Sequence, residues 1–223
     1  MILGNLPQKL YSSKVLFISG IDTNVGKTFA TAHLLIAMQK AGHNVISQKM
    51  IQTGCKEISE DIEKHREITK SELLPEDLNG TTCPVLLSYP ASPHLAAQID
   101  NTTIDVSKIE AATKILKEKY STVLLEGAGG LMVPITTDSN STLGGYLTID
   151  YIAEHNYPVI LVTSGKLGSL NHTLLSIDAC NKRGIEIALI VYNEYPSTDS
   201  IIEKSSLKYL ESLNIPVVTL SLD

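Results

Sequence analysis

One loop of the sequence carries the residue types that a protein needs to hold a polyphosphate. An apolar stretch typical of a strand leads into this loop, which closes on Gly26, Lys27 and Thr28 where a helical pattern begins. Backbone N–H groups at such a helix start attract an anion, the lysine brings positive charge to the β- and γ-phosphates, and the threonine hydroxyl can bind Mg²⁺. The usual pattern has a glycine where this chain has Ile21, and Gly20 stands one residue earlier. A chance Gly-Lys-Thr is the alternative, but the strand–loop–helix setting favours a nucleotide site.

Three more charged side chains have positions suited to the same chemistry. Lys49 ends a second apolar run, and Asp61 opens a helical stretch. Glu126 follows the apolar residues 122–125 and precedes a glycine-rich turn at 127–130. The carboxyl ends of parallel strands are where such folds bind ligands, and a carboxylate there can hold Mg²⁺ as a Walker B acid does. The alternatives are that Lys49 is a solvated lysine at a strand end and that Asp61 lies in the first turn of a helix because the helix dipole favours a negative charge there. The residues alone leave these alternatives open.

The elements that must position these side chains alternate between strand and helix. Short apolar runs predict about seven strands, at residues 15–19, 45–48, 85–88, 122–125, 159–163, 186–192 and 217–220. Helical spacing of apolar residues predicts helices at 27–40, 106–120, 169–183 and 200–213. Runs that are apolar throughout are typical of strands buried on both faces of a parallel sheet. We therefore expect an α/β fold, a single P-loop-type domain over residues 1–223 with a mostly parallel sheet flanked by helices.

The charge balance and the cysteine content restrict the class of protein. The chain has 18 Lys and Arg against 24 Asp and Glu, a net charge of −6, and nucleic-acid binders instead carry a basic excess. Three dispersed cysteines without a close pair predict a reducing compartment and no zinc site. Residues 1–13 have no secretory signal pattern, and the apolar runs have only strand length. We expect a cytoplasmic protein that binds neither nucleic acid nor a membrane.

The phosphate loop resembles that of dethiobiotin synthetases, which are biotin-pathway ligases of the P-loop class. The matching residues are Gly20-x-Asp22-Thr23-x-Val25-Gly26-Lys27-Thr28, with five rather than four residues between the glycines. The second segment is similar to the family's Lys-Pro-x-x-[Ser/Thr]-Gly, with Lys49 and Thr53 in place and Met50 instead of the proline. The family's Glu-Gly-Ala-Gly-Gly is intact from Glu126 to Gly130. The resemblance extends over most of the chain, from about residue 15 to residue 216.

The resemblance assigns roles to particular residues. It implies catalytic roles for Lys49 and Lys27, and substrate contacts for Thr53 and Lys49. The implied Mg²⁺ ligands are Thr28, Asp61 and Glu126. The implied nucleotide contacts are Asn24, Val25, Gly26, Lys27, Thr28, Phe29, Asp61, Glu126, Gly127, Ala128, Gly129, Asn193 and Glu194. A Ser-Pro-His segment at 92–94 is similar to one that lines the family's substrate pocket, and the roles of His94 and Cys55 stay open.

The same resemblance implies a reaction and a set of partners. The expected enzyme is an ATP- and Mg²⁺-dependent cyclo-ligase that converts 7,8-diaminononanoate and CO₂ into dethiobiotin, with ADP and phosphate as by-products. The route passes through a carbamate and a carbamic-phosphoric anhydride. The family also implies a homodimer, in which the helix start at 168–172 helps bind the substrate carboxylate of the neighbouring subunit.

Two other functions compete with this interpretation. A nucleotide-switch ATPase of the ParA/MinD kind shares the architecture but has a second lysine at the place of Asp22. An amidotransferase-related synthetase of cobyric-acid type needs a glutaminase domain, for which we expect no residues after the last strand. The family's segment that closes over the base after Pro216 is also expected to be missing. This predicts weak discrimination among nucleoside triphosphates, because water can satisfy the groups around an open base pocket.

Overall fold

Strands and helices alternate along most of the chain, as the apolar runs predict. The structure is a computed structural model that describes residues 6–137, 143–195 and 199–221. Its strands are β1 (Val15–Gly20), β2 (Val45–Lys49), β3 (Gln52–Thr53), β4 (Leu86–Leu87), β5 (Thr122–Gly130), β6 (Pro134–Thr137), β7 (Gly145–Leu147), β8 (Val159–Ser164), β9 (Ile187–Asn193) and β10 (Val217–Leu220). Its α-helices are α1 (Lys27–Lys40), α2 (Glu60–Thr69), α3 (Pro75–Leu78), α4 (Pro93–Ile99), α5 (Val106–Lys119), α6 (Thr148–Glu154), α7 (Ser169–Asn181) and α8 (Ser200–Glu211).

Parallel strands form the main sheet, in the order β10-β9-β8-β1-β5-β2. Strands β1, β8 and β9 are buried along their whole length, which is why their residues are apolar almost throughout instead of alternating. The predicted α/β class with a parallel sheet flanked by helices is confirmed. Because these strands run in one direction, their carboxyl ends share one edge, and the predicted site residues lie near it. Glu126 does not follow a strand that ends at residue 125: β5 continues through it and through the predicted glycine-rich turn to Gly130.

The main sheet of the described chain has six strands, where the apolar runs predict about seven. The run at 85–88 shortens to β4, which pairs with β3 in a separate two-stranded sheet. The Gln52 N–H also donates to the Val85 carbonyl, at 2.9 Å. An apolar run predicts an extended backbone but does not specify its partner strand, so the sequence pattern could not separate β4 from the main sheet.

Each strand of the sheet contributes to two hydrophobic layers because successive side chains point to opposite faces. Leu16 and Ile18 of β1 pack in one layer with Leu34 and Leu35 of α1. Phe17, between them, belongs to the other layer, with residues of β5, α5 and α6. The first layer fixes α1 against the sheet and thereby places the start of this helix at the carboxyl end of β1.

The four predicted helices are present, with their ends shortened by one or two residues in three cases. Helix α1 has the predicted bounds and is followed by Gly42 at φ +84°, the expected glycine C-terminal signal. The helices α3, α4 and α6 and the hairpin β6–β7 have no predicted counterpart, because segments of three to seven residues show too little periodicity. No helix in the described ranges has the length and apolar character needed to cross a membrane.

Candidate nucleotide-binding and catalytic site

The loop between β1 and α1 has the backbone geometry of a phosphate-binding turn. Gly26 caps the start of α1 at φ +95°, and Asn24 also has a positive φ of 58°. Glycine adopts this region freely, and asparagine is among the few other residues that enter it routinely. Lys27 is buried, and its Nζ donates a hydrogen bond to the Asp22 carbonyl at 3.0 Å. The lysine therefore lies along the concave side of its own loop.

The last residue of β9, Asn193, holds the phosphate loop from outside. Its Nδ2 donates to the Val25 carbonyl at 3.0 Å, and its Oδ1 accepts from the Tyr195 N–H at 3.2 Å. A Cβ placed on Gly26 would lie only 2.3 Å from the same Nδ2. Both polar ends of this side chain, an expected nucleotide contact, are thus engaged within the protein. The adjacent Glu194 is half-buried. The prediction that no segment closes over the base concerns the chain after Pro216, of which residues 222 and 223 lie outside the described residues.

A Gly26→Ala substitution should disable the phosphate loop, while Gly42→Ala should not. Both glycines have positive φ, which costs an alanine roughly 1–2 kcal/mol, but only Gly26 also faces a side-chain atom at 2.3 Å. We expect a modest loss of thermal stability in both variants, larger in Gly26→Ala because Asn193 must shift, and at least about a tenfold loss of ATP affinity in Gly26→Ala alone. Calorimetric titration with ATP, together with a melting curve, measures both effects. Equal ATP affinities in the two variants would contradict this role of Gly26.

Lys49, Asp61, Glu126 and Thr28 converge at the carboxyl edge of the sheet. Lys49 Nζ lies 2.5 Å from Asp61 Oδ2 and 2.8 Å from Glu126 Oε1, and it donates to the Gly127 carbonyl at 3.1 Å. Thr28 Oγ1 donates to Asp61 Oδ1 at 2.8 Å and lies 3.1 Å from Glu126 Oε1. The structure therefore brings one lysine, two carboxylates and a hydroxyl from four different elements into mutual contact.

Strand register and a helix cap place these groups. Lys49 and Glu126 are register partners in the β2–β5 pair, so their side chains leave the sheet on the same face. Ser59 caps α2 by accepting from the Ile62 N–H, and its own hydroxyl donates to Gln52 Oε1 at 2.7 Å. This anchors the first turn of α2, where Asp61 lies, to the segment that follows β2.

Burial and opposite charge act against each other on these groups. Burial alone would lower the pKa of Lys49, but the carboxylates of Glu126 and Asp61 outweigh it and hold this pKa above its ordinary value. Burial would raise the pKa of Glu126, yet Lys49 and a hydrogen bond from His65 hold it well below its ordinary value. The pKa of Lys27 is lowered to about 8, by burial first and then by the charge of Lys49. The site therefore holds an ionised Glu126 bonded to a charged Lys49.

Two contacts to Glu126 were not predicted from the sequence. His65 Nε2 lies 2.9 Å from Glu126 Oε2, and Thr31 Oγ1 lies 2.8 Å from the same oxygen. The sequence contained a spacing that could have drawn attention to each residue, because His65 follows Asp61 by four residues and Thr31 follows Lys27 by four. Residues with this spacing share a helix face. Only the packing of α1 on the sheet, and of α2 against α1 and β2, shows which buried group they meet.

A cavity of about 840 Å³ opens beside the charged cluster. Most of the predicted site residues line it: Asn24, Gly26, Lys27, Thr28, Phe29, Lys49, Thr53, Asp61, Glu126, Ala128 and Gly129. Val25, Gly127, Asn193 and Glu194 do not form part of its wall. Ile51, Ile68, Val133 and the segment at 90–93 supply its apolar side. His94 and Cys55 are likewise outside the lining, and the Cys55 thiol donates to the Ile58 carbonyl.

The oxygen atoms at this site fit Mg²⁺. The described residues contain no cluster of three or more His, Cys, Asp or Glu side chains that could enclose a metal ion. Mg²⁺ does not need such an enclosure, since it is usually bound by one or two carboxylates and keeps waters and phosphate oxygens as its other ligands. Asp61, Glu126 and Thr28 supply two carboxylates and a hydroxyl, which match that preference.

The fold and the loop define the class, a P-loop nucleotide-binding α/β protein. A family model described as an AAA domain matches residues 14–219. The crystal structure of a ParA family ATPase from Chlorobium tepidum TLS is similar, with a TM-score of 0.53 and 16% identity over 95% of this chain and 86% of that one. At that identity the similarity shows the fold alone.

Curated relatives define the particular family. The ATP-dependent dethiobiotin synthetase BioD 2 of Haemophilus influenzae is 53% identical over 191 residues, which cover 86% of this chain and 96% of that protein. The corresponding protein of Haemophilus ducreyi is 52% identical over 89% of this chain and 90% of its own length. The BioD protein of Chlorobaculum tepidum is 46% identical over 86% of this chain and 77% of its own length. The chain belongs to the family of ATP-dependent dethiobiotin synthetases, and the resemblance seen in its motifs is confirmed.

Proposed function

We propose that residues 1–223 work as one domain, an ATP-dependent ligase that converts 7,8-diaminononanoate and CO₂ into dethiobiotin. One amine of the diamine adds CO₂ and releases a proton, which gives a carbamate. A carbamate oxygen then takes the γ-phosphoryl group of ATP, and ADP leaves. The second amine attacks the carbonyl carbon of this mixed anhydride, expels phosphate and closes a cyclic urea.

The residues of the site divide this work between charge and position. Lys27 neutralises the β- and γ-phosphates, and Lys49 holds the carbamate near the γ-phosphoryl group while Thr53 contacts the substrate. Thr28, Asp61 and Glu126 would hold Mg²⁺, which when bound supplies further positive charge to the phosphate oxygens. The nucleotide contacts are residues 24–29, 127–129, 193 and 194. Asn193 also holds the phosphate loop in place through its bond to the Val25 carbonyl.

The observation that supports this function best is the convergence of Lys49, Asp61, Glu126 and Thr28 beside the phosphate loop and the cavity. In the described chain neither a cysteine nor a histidine lines this cavity. A reaction in which substrate atoms attack one another needs no protein nucleophile, only positioning and stabilisation of charge. The site has the groups for that task.

Phosphate release from ATP should depend on both the diamine and bicarbonate. The assay compares the complete mixture with mixtures that lack the diamine, bicarbonate or Mg²⁺, and mass spectrometry identifies the cyclic urea. Slow ATP hydrolysis whose rate does not depend on the diamine, but rises when another protein is added, would instead support a nucleotide switch. No contact among the described residues favours that second function.

The substrate pocket is proposed to form between two copies of the chain. Helix α7 begins at Ser169 after Gly168, whose φ is +92°, without a side-chain cap, and the adjacent Leu167 is 84% exposed. Free N–H groups at a helix start suit a carboxylate, and a large exposed leucine beside them suits an interface. Exposed Leu78 on α3 offers a matched position away from this helix start.

Light scattering should give about twice the chain mass of 24.2 kDa. Leu167→Asp should shift the protein toward monomer and raise the KM for the diamine, while Leu78→Asp should do neither. A monomer that keeps full activity at nanomolar concentration would disprove the shared pocket.

The cytoplasm is the proposed location. Cys55, Cys83 and Cys180 are free thiols, and burial raises the pKa of Cys83 and of Cys180 to about 12. Thiols that stay reduced and protonated fit a reducing compartment. Small molecules and a second copy of the chain are the proposed partners.

A further inference from the structure

His65 is a fully buried histidine whose ring nitrogens both have side-chain partners. Its Nε2 lies 2.9 Å from Glu126 Oε2, and its Nδ1 lies 3.1 Å from Ser47 Oγ. The residue does not line the cavity, and among the residues that do, its ring contacts Glu126. Any effect of His65 on the reaction must therefore pass through Glu126.

A chain of hydrogen bonds fixes the far side of the His65 ring. Arg66 donates from Nη1 to Ser47 Oγ at 3.1 Å. Its Nε and Nη2 donate to the two Asp77 carboxylate oxygens at 2.8 and 2.9 Å. Asp77 also accepts from the Thr82 hydroxyl and the Leu74 N–H, both at 2.8 Å. These contacts connect Ser47 to the segment around α3 and restrict the rotation of the Ser47 hydroxyl group.

The hydrogen-bonding capacities of Arg66, Ser47 and Glu126 are consistent with one tautomer of a neutral His65 ring. A guanidinium can only donate, so Ser47 Oγ accepts from Arg66 and its own hydrogen is available for His65 Nδ1. An imidazole that accepts at Nδ1 carries its hydrogen on Nε2, where it donates to the Glu126 carboxylate. Every polar group in the chain from Asp77 to Glu126 then has a partner.

The two oxygens of Glu126 face different surroundings. Oε2 is bonded to His65 and Thr31 in the interior, whereas Oε1 contacts Lys49 and Thr28 on the side of the cavity. The Glu126 side chain has no exposed surface, so these four contacts decide its orientation. Without a donor at Oε2 the carboxylate could rotate away from the side where Mg²⁺ and the γ-phosphate would bind.

We infer that His65 is a positioning residue that anchors Oε2 of Glu126, so that Oε1 is presented to the metal and the phosphates. The inference rests on the proposed function only in identifying the ligand of this carboxylate. Partners that hold metal-ligating side chains in place typically contribute about 10- to 100-fold to metal affinity or activity. The effect of His65 should therefore appear in the Mg²⁺ requirement rather than in binding of the diamine.

Two amide variants separate the two ends of the ring. His65→Gln reaches the position of Nε2 and can donate to Glu126, whereas His65→Asn reaches only the position of Nδ1 and keeps the contact to Ser47. Thr31→Val removes the other donor to Oε2. Thr113→Val is its matched control, because the buried Thr113 on α5 also contacts a carbonyl four residues earlier and one side-chain oxygen, that of Gln48.

The measurements are calorimetric titrations of a non-hydrolysable ATP analogue over a series of Mg²⁺ concentrations, followed by kinetics with the diamine. His65→Asn and Thr31→Val should raise the Mg²⁺ concentration for half-maximal analogue binding by about tenfold or more. His65→Gln and Thr113→Val should stay within about threefold of the unmodified protein, and the KM for the diamine should change by less than about threefold in all four.

Two results would overturn the inference. One is an unchanged Mg²⁺ requirement in both His65→Asn and Thr31→Val, and the other is an equal increase in His65→Asn and His65→Gln. If His65→Asn does not fold, the comparison of Thr31→Val with Thr113→Val still decides whether Oε2 must be anchored, and His65→Gln must keep the normal Mg²⁺ requirement. Failure of the unmodified protein to form a cyclic urea would refute the proposed function alone, because the analogue titration does not depend on that chemistry.

Discussion

Lys49→Ala is expected to reduce kcat by about 10²- to 10³-fold, equivalent to about 3–4 kcal/mol of transition-state stabilisation. Lys49 is only 4% exposed, and its ammonium group lies between Asp61 and Glu126 at the edge of the cavity. A fixed charge in such a site stabilises negative charge as it develops on the transferring phosphoryl group, far more strongly than the same charge does in water. The KM for ATP should change much less, because Lys27 and the loop backbone remain.

Two companion variants make this prediction specific. Lys49→Met keeps the length and apolar stem of the side chain without its charge, so it should be as inactive as the alanine variant. Lys64 also lines the cavity but is exposed and paired with Glu67 at 2.7 Å, so Lys64→Ala should keep kcat within about threefold. Steady-state kinetics with circular dichroism as a check on folding measures the series. A Lys49→Ala turnover within about threefold of the unmodified protein would remove Lys49 from the catalytic residues.

Glu126→Gln is expected to raise the Mg²⁺ concentration for half-maximal activity by at least about tenfold, with a smaller change in the KM for the diamine. Four side chains contact this buried carboxylate, two at each oxygen. Glutamine has one accepting oxygen and one donating NH₂ group, so the contacts at one of the two positions lose their acceptor. The neutral amide also removes the negative charge that a hard cation prefers.

Glu76→Gln is the matched control for loss of a buried carboxylate. Glu76 is also buried and pairs with a lysine, Lys119, but lies outside the cavity lining. The Glu76→Gln variant should therefore keep the Mg²⁺ requirement of the unmodified protein. Activity measured across a Mg²⁺ series decides the matter: if Glu126→Gln needs no more Mg²⁺ than Glu76→Gln, Glu126 has a structural role and is not a metal ligand.

The sequence by itself determined the order of the elements and the local chemistry of the loop. Apolar runs that do not alternate predicted strands buried on both faces, and the structure confirms this for β1, β8 and β9. The Gly-Lys-Thr at a helix start also depends on neighbours close in the chain. Such features are visible in a sequence because backbone geometry and side-chain periodicity are set by residues a few positions apart.

Only the tertiary structure decided which of these segments meet. The run at 85–88 joined β3 instead of the main sheet, and the Asn193 amide was directed to the Val25 carbonyl. His65 and Thr31 were bonded to Glu126 across 61 and 95 residues of chain. A buried polar group must find a partner of the right hydrogen-bonding type, and that partner depends on how helices and strands pack over long sequence distances. The spacing of Asp61 and His65 places both on one face of α2, but only the packing of α2 against α1 and β2 makes Glu126 the partner of His65.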